Sequence, residues 1–577
     1  ASDRYHSVYA FKYMPEQEDV STLGLEGEWI DWEGTNGFPF NLRFEPDTEF
    51  VSPVCSIDNL CYLFRNPDAD ETELTGEQIF ERTLDITVSE SSDITPEHFA
   101  RYEMGGDNGD TFADALNDMM YEFGYAREPA STQPDWWEWI SLTRAWRNDH
   151  YLQPDLDKVT GVQQISEETY EEGDPGIGYI YTWNSLKGWP FPENRDSNHY
   201  LMSTANYINA VYNYYMYNGN KDFLNNNIDK MRLGMDYLLT MYDEESDLFL
   251  INHPDHNGVA DLSDNTGSNT DPSRMSDSVG SNYWDITPYG YMSAYDNLYC
   301  YMALNRMAEI EELMEQPERS EELREYASDL KEGYNKAFWT GNHYIQTIDA
   351  EGKEHDYGSV YLNLEAINYG MASAEQAEKM MEYMDTTVTD SGSADTFSRY
   401  AFAPRVTMKD NQYWYVYLYG EPGAYGDKQL QNGGADFYTM YYELMSWIKT
   451  GNTDRAYERL QSLVNAFNED QHLQGNNIMN DGSKNQHFGE GSVGIWGEFP
   501  ESGLVPVAVK DGFMGISADK DGLKISPNLP GSIPEISLDG IDYWGLGLKV
   551  TVSDTLVTIE ARENTGDYNW ARGERPE

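Results

Sequence analysis

The chain has 577 residues, with 101 Asp and Glu against 38 Lys and Arg, a formal net charge of -63. Such a field repels a nucleic-acid backbone and an anionic membrane surface but not a neutral sugar. The length asks for two or three domains, and no run of about 18 apolar residues is present to span a bilayer. Surface acidity of this kind is also how a chain adapts to salt or to a crowded extracellular medium, and by itself it marks no site.

Residues 1 to 105 read as a β-rich region. Short alternating runs such as Tyr9-Ala10-Phe11-Lys12-Tyr13 and Thr83-Leu84-Asp85-Ile86-Thr87-Val88 are separated by turn residues, Gly34-Thr35-Asn36-Gly37 and Asn66-Pro67-Asp68 among them. Cys55 and Cys61 flank a short loop here. They are read either as a disulfide or as two free thiols. Cys300, in an apolar helical stretch, is read as core.

The period changes near residue 106. Phe112–Met120 and Trp136–Thr143 carry helical faces, and further helices are predicted over 198–218, 221–242, 292–315, 319–338, 374–385, 434–449, 453–468 and 503–514. Asn218-Gly219-Asn220 and Thr450-Gly451-Asn452 each end one helix and start another. About ten helices in antiparallel pairs, without a fixed repeat, predict a helical barrel or array over 106–515 rather than a regular solenoid. Long Gly/Asn/Asp-rich loops interrupt it at 252–282 and 470–502. Loops that long inside a compact domain carry function or are disordered. Residues 516–577 return to strands, with Gly522–Pro527, Leu548–Val552 and Leu556–Ala561, as a small C-terminal β domain.

Both long loops end on a carboxylate beside a tryptophan, in Tyr283-Trp284-Asp285 and in Trp496-Gly497-Glu498-Phe499-Pro500-Glu501. Two carboxylates facing each other in an aromatic cleft are the minimum equipment for glycoside cleavage, one protonating the leaving oxygen and the other activating water. Asp285 is the acid candidate, because burial against Tyr283 and Trp284 raises a carboxyl's pKa. It also reads as the N-cap of the helix that follows. Glu498 and Glu501 are the base candidates, and equally fit helix N-terminal acids. In Trp189-Pro190-Phe191-Pro192-Glu193-Asn194-Arg195-Asp196, the Arg195 fork beside Asp196 suits adjacent sugar hydroxyls or a structural ion pair. Gln431-Asn432-Gly433-Gly434 offers two amides to a sugar, or forms a tight turn.

His253-Pro254-Asp255-His256 and the Asp/Asn-rich run after it offer ligands to a metal, including oxygens for a structural Ca²⁺, but match no twelve-residue calcium loop. No cofactor and no catalytic metal is expected. No Walker loop, GxGxxG, GxSxG in strand–turn–helix context or CxxC pair occurs.

These segments resemble the six-hairpin glycosidases, the (α/α)6-barrel clan that includes glucoamylases, trehalases, α-rhamnosidases and disaccharide phosphorylases. Four features over residues 110–515 carry the resemblance. They are Arg195-Asp196 opening a helix, Tyr283-Trp284-Asp285 before the helix with Ala294-Tyr295-Asp296-Asn297, Gln431-Asn432-Gly433-Gly434 before another, and Glu498-Phe499-Pro500-Glu501-Ser502-Gly503 before the last. Tyr334-Asn335-Lys336-Ala337-Phe338-Trp339 also looks like a hairpin end of that clan. The resemblance implies a mainly α fold, an (α/α)6 barrel with an N-terminal β-rich region and a small C-terminal β domain. It implies an inverting, exo-acting glycoside hydrolase of a neutral oligo- or polysaccharide. In that reading Asp285 is the acid, Glu498 or Glu501 the base, and Trp189, Arg195, Asp196, Tyr283, Trp284, Gln431, Asn432 and Trp496 hold the sugar. A polysaccharide lyase, a glycoside phosphorylase and a non-catalytic carbohydrate-binding protein are the alternatives. The acidic chain, starting without Met at Ala1-Ser2-Asp3, reads as mature and secreted, or as adapted to a salty cytoplasm. The sugar, the anomer, exo versus endo action and the oligomeric state are not specified by the sequence.

Overall fold

A computed structural model describes residues 8–9, 41–42, 100–106, 108–122, 136–147, 156, 164–170, 176–180, 201–251, 291–348, 352–356, 358–390, 437–469 and 503–563. The chain divides into two compact units, Ala1–Phe99 and Ala100–Glu577. In the first, β1 (Val8–Tyr9) pairs antiparallel with β2 (Asn41–Leu42).

The second unit opens with β3 (Arg101–Met104), followed by α1 (Gly109–Glu122) and α2 (Trp137–Arg144). Next come α3 (Leu201–Asn218), α4 (Lys221–Leu239) and the β4–β5 hairpin (Tyr242–Asp243, Leu248–Phe249). A short strand, β6 (Met292–Ser293), leads into α5 (Ala294–Leu313), and α6 (Pro317–Phe338) follows. Strands β7 (Thr347–Ile348) and β8 (Glu354–His355) precede α7 (Val360–Asn368) and α8 (Ala374–Asp390). The last helices are α9 (Phe437–Lys449), α10 (Thr453–Glu469) and α11 (Leu504–Ala508), which widens into a π turn over Val509–Phe513.

The periodicity-based helices therefore form, with shifted ends. The helix read over 221–242 stops at Leu239, because Tyr242–Asp243 pairs with Leu248–Phe249 instead. The one read from 292 starts at Ala294, because Met292–Ser293 pairs with β7. Helix α7 was not expected: eight of its nine residues are buried, Asn363 and Glu365 among them, so it shows no amphipathic period to read.

Burial separates the helices into two sets. In α3, 17 side chains are buried, the signature of a helix enclosed on every side. In α6, exposed Glu and Lys alternate with buried Leu323, Ala327, Leu330 and Tyr334, so this helix faces solvent on one side. Contacts between the enclosed helices run in a cycle: α2 touches α3, α3 touches α5, α5 touches α7, α7 touches α9, α9 touches α11, and α11 touches α2. Helices α4, α6, α8 and α10 each pack on the enclosed helix that precedes them in the chain, while α1 packs on α10 and α11.

Each enclosed helix from α3 to α9 passes to its outer partner through a short turn. Asn220 caps α4, its side chain accepting from the Phe223 amide at 3.1 Å. Gly219, at φ +67, makes the reversal between α3 and α4. A Cβ at Gly219 would meet the Trp544 ring at 2.3 Å, whereas one at Gly451, at φ +79 in the α9–α10 turn, meets nothing within 4 Å. Both substitutions strain the backbone, and only the first also clashes. We expect Gly219→Ala to cost about 1–3 kcal/mol from overpacking beyond the strain it shares with Gly451→Ala. Thermal unfolding of the two variants side by side checks this; equal midpoints refute it.

The C-terminal strands comprise the hairpin β9 (Ile516–Asp519) and β10 (Gly522–Ile525), and a four-stranded antiparallel sheet. The sheet holds β11 (Glu535–Tyr543), β12 (Leu546–Ser553) and β13 (Val557–Glu563) in the order β13-β12-β11-β3. Strand β3 thus comes from 430 residues upstream and pairs Met104 with Ile536. Its Tyr102 donates to the Pro506 carbonyl at 2.6 Å, which fastens the sheet to α11. At the β11–β12 turn, the Trp544 amide donates to Tyr217 O at 2.8 Å and its indole to Met216 O at 3.0 Å, fastening the sheet to the C-terminal end of α3.

Candidate functional site

All eleven residues expected to carry the chemistry lie outside the described residues: Trp189, Arg195, Asp196, Tyr283, Trp284, Asp285, Gln431, Asn432, Trp496, Glu498 and Glu501. So do Cys55, Cys61, His253 and His256. Their places in the chain are nonetheless ordered by what surrounds them. Trp189, Arg195 and Asp196 precede α3, and Tyr283, Trp284 and Asp285 precede β6 and α5. Gln431 and Asn432 precede α9, and Trp496, Glu498 and Glu501 precede α11. Every one therefore stands in a connection from an outer helix, or from the segment before α3, to the N terminus of an enclosed helix.

Two such connections meet. β6, directly before α5, pairs with β7, which lies in the connection to α7, and β7 pairs with β8. Ser293 caps α5, its hydroxyl accepting from the Asp296 amide at 3.2 Å. Helices α5 and α7 run in the same direction from this end. Tyr295 stacks edge-on against Tyr361 at 5.1 Å, and Tyr299, one turn further, meets Tyr369 at 5.9 Å.

Two side-chain bonds, Glu138 to Arg306 and Trp139 to Tyr442, cross the space that the helix cycle encloses, because they join helices that are not neighbours in it. Glu138 on α2 receives both guanidinium nitrogens of Arg306 on α5, at 2.5 and 2.9 Å. Asn213 on α3 donates to Glu138 at 2.9 Å and to Ser141 at 2.8 Å. Trp139 donates to the Tyr442 hydroxyl at 3.0 Å, and that hydroxyl lies 2.5 Å from the hydroxyl of Tyr369. Glu365 on α7 accepts from Tyr299 at 2.7 Å and from Tyr295 at 3.3 Å. Glu138 and Glu365 are both fully buried. Burying a carboxylate is costly unless it is paired and hydrogen-bonded, and these bonds supply that pairing.

Burial drives the Tyr299 hydroxyl well above the ordinary phenol range, and the neighbouring Glu365 carboxylate adds to the shift. Burial does the same to Tyr369, with Glu138 and Glu365 contributing, and to Tyr442, with Tyr369 and the same carboxylates contributing. These tyrosines stay protonated through neutrality and serve as donors, not as bases. Burial works against the charge of Arg306, and the Glu138 carboxylate outweighs it, holding the guanidinium ionised. The enclosed space is thus a fixed polar and aromatic floor. Reading by motif misses Glu138, Glu365 and Arg306. The available signal is an acid inside a Trp-rich helix, Trp136-Trp137-Glu138-Trp139, and another inside the apolar run Val360–Ile367. Cys300 is buried, as its helical context implies.

Among the described residues no group of three or more His, Cys, Asp or Glu is placed to hold a metal ion. No helix among them is long and apolar enough to cross a membrane.

No protein-family model matches the sequence, and no curated protein matches it significantly. Solved structures do match in fold. A GH78 family rhamnosidase of Bacillus sp. GL1 superposes with a TM-score of 0.52 at 13% identity, over 81% of this chain and 42% of that one. A sialidase superposes with a TM-score of 0.50 at 12% identity, over 80% and 40%. An α-L-rhamnosidase from Dictyoglumus thermophilum gives 0.46 at 11% identity, over 81% and 44%. The chain spans less than half the length of these three proteins. The likeness is one of fold alone, and it fits the helical architecture that the sequence predicts.

Proposed function

We propose that residues 106–515 form an (α/α)6 barrel and that the chain is an inverting glycoside hydrolase acting from the chain end of a neutral oligo- or polysaccharide. Asp285 protonates the departing oxygen. Glu498 or Glu501 takes a proton from a water on the opposite face of the sugar ring. Trp189, Arg195, Asp196, Tyr283, Trp284, Gln431, Asn432 and Trp496 hold the sugar.

One observation carries the reading: every candidate residue belongs to a connection that opens onto the N terminus of a helix in the enclosed cycle, and β6, at the end of the connection that holds Asp285, pairs with β7 in the connection to the neighbouring enclosed helix α7. Covalent reach supports it. Glu501 stands two residues before Gly503, so at most about 7 Å of chain separates it from the start of α11, and Asp285 stands six before Tyr291, at most about 22 Å. Inversion requires the two carboxyls about 6.5–9.5 Å apart with a water between them. The likeness in fold to a rhamnosidase orders the substrates to be tried, and the net charge of -63 favours neutral ones.

The test is a panel of neutral oligosaccharides and aryl glycosides, α-L-rhamnosides first, followed by proton NMR. The expected result is release of a terminal sugar whose anomer is opposite to that of the bond cleaved. A retained anomer removes the water-activating role of Glu498 and Glu501. Cleavage that requires inorganic phosphate makes the enzyme a phosphorylase, and an ultraviolet-absorbing unsaturated product makes it a lyase.

A further inference from the structure

A cavity lies toward the C-terminal end of α3. It measures about 180 Å³, many times the roughly 10–15 Å³ that one water needs. Tyr217, in its wall, is the penultimate residue of α3 and stands 16 residues beyond Leu201, about 24 Å of helix rise from the N terminus that Arg195 and Asp196 precede. Trp146, Tyr212, Arg306, Lys510 and Asp511 complete the part of the wall that concerns recognition, and Ser517 of β9 lies at its edge.

The wall has unspent donors. The Lys510 ammonium is saturated: it donates to Tyr217 at 3.0 Å, to Ile516 O at 3.2 Å and to Asp511. Arg306 gives two of its five N–H groups to Glu138, and three remain on a guanidinium that lines the cavity with 17% of its side chain exposed. The Tyr217 hydroxyl accepts from Lys510 and keeps its own proton to donate. Asp511, which accepts from Tyr441 at 2.8 Å, sets a carboxylate in the same wall.

Charge decides the ligand class. Arg306 is offset by Glu138 and Lys510 by Asp511, while Tyr212 donates to a further carboxylate, Glu309, at 2.7 Å. The wall carries no positive surplus to hold a phosphate or a carboxylate, and the chain's charge repels both. A molecule with several oxygens and no charge satisfies it: its oxygens accept from Arg306 and Tyr217, its hydroxyls donate to Asp511, and its C–H faces meet the edges of Trp146 and Tyr212. The π turn is what makes the wall. It carries Lys510, bonded to Tyr217, and Asp511, bonded to Tyr441, and π turns of this kind recur at functional sites.

We propose that this cavity binds one neutral monosaccharide ring, at a site separate from the candidate catalytic residues. The assignment does not depend on the hydrolase reading, because it is tested with sugars that have no bond to cleave.

The experiment is calorimetric titration of the full chain with D-glucose, D-galactose and L-rhamnose, on wild type and on Ser517→Trp. Ser517 is exposed and lines the cavity, so a Trp there takes up its volume while the residues of the Arg306–Glu138 pair are left unchanged. The expected result is saturable binding of at least one sugar to wild type, weakened about tenfold or more in Ser517→Trp. No binding of any of the three to wild type overturns the proposal, as does equal binding to a Ser517→Trp protein of unchanged thermal midpoint. Should that variant fail to fold, a soak of wild-type crystals decides: sugar density against Arg306 supports the site, and density found only elsewhere, or absent, refutes it. Loss of sugar binding with hydrolysis intact, or the reverse, separates this proposal from the catalytic one.

Discussion

Asp285→Asn lowers turnover about 10²–10⁴-fold while the protein keeps its thermal midpoint and its helical circular dichroism. That range is what positioned proton transfer contributes to a reaction. An amide of the same shape keeps an N-cap's oxygen acceptor but cannot protonate a leaving group, so the substitution separates the two roles open to Asp285. If the residue only caps a helix, Asn serves as well as Asp and turnover is unchanged. An aryl glycoside with a good leaving group sharpens the result. It needs little help from an acid, so the loss measured on it shrinks relative to that on a natural glycoside. Equal losses on both substrates would falsify the acid assignment. Glu498→Gln and Glu501→Gln, measured in the same way, distinguish the water-activating carboxylate: its loss persists on the activated substrate.

Arg306→Met destabilises the fold by about 3–5 kcal/mol, the usual consequence of leaving one member of a buried ion pair unpaired. Glu138 is fully buried and takes both of its guanidinium bonds from Arg306, leaving Asn213 as its remaining donor. The cost arises from the stranded carboxylate rather than from lost attraction. The double variant Glu138→Leu with Arg306→Met, which strands nothing, is therefore expected to be more stable than Arg306→Met alone. Urea unfolding of the two single variants and the double gives the coupling directly. Additive losses would show that the pair does not act as a unit across the helix cycle.

How far the chain could be read without coordinates follows from the range of the forces involved. Helices such as α4, α6 and α10 depend on side chains three and four residues apart, and that periodicity is written locally. The turns at Gly219 and Gly451 are equally local, since a left-handed residue after a helix calls for glycine. Helix α7 escaped because a buried nine-residue apolar helix and a buried strand look alike. Strand β9 and the nine residues of β11 were likewise not expected, because burial does not alternate along them: β11 buries Ile536, Ser537 and Leu538 in succession.

The candidate residues show the same division. The aromatic and acidic motifs announce sugar chemistry by composition, and their positions before helices are legible by counting. Glu138, Glu365 and Arg306 bear no such mark, because a buried acid is recognised by its partner, and the partner of Glu138 is 168 residues away.

The sequence by itself determined the helical hairpins, the acidic character, the aromatic surplus and the order of the carboxylate segments, all properties of neighbours along the chain. Only the tertiary structure decided that the enclosed helices contact one another in a cycle, that Arg306 answers Glu138 across it, that a strand beginning at Arg101 completes a sheet beginning at Glu535, and that Lys510 and Asp511 wall a cavity with Tyr217. Those outcomes depend on contacts between distant segments, whose free energy is set by burial and pairing in the folded state and leaves no local periodicity to read.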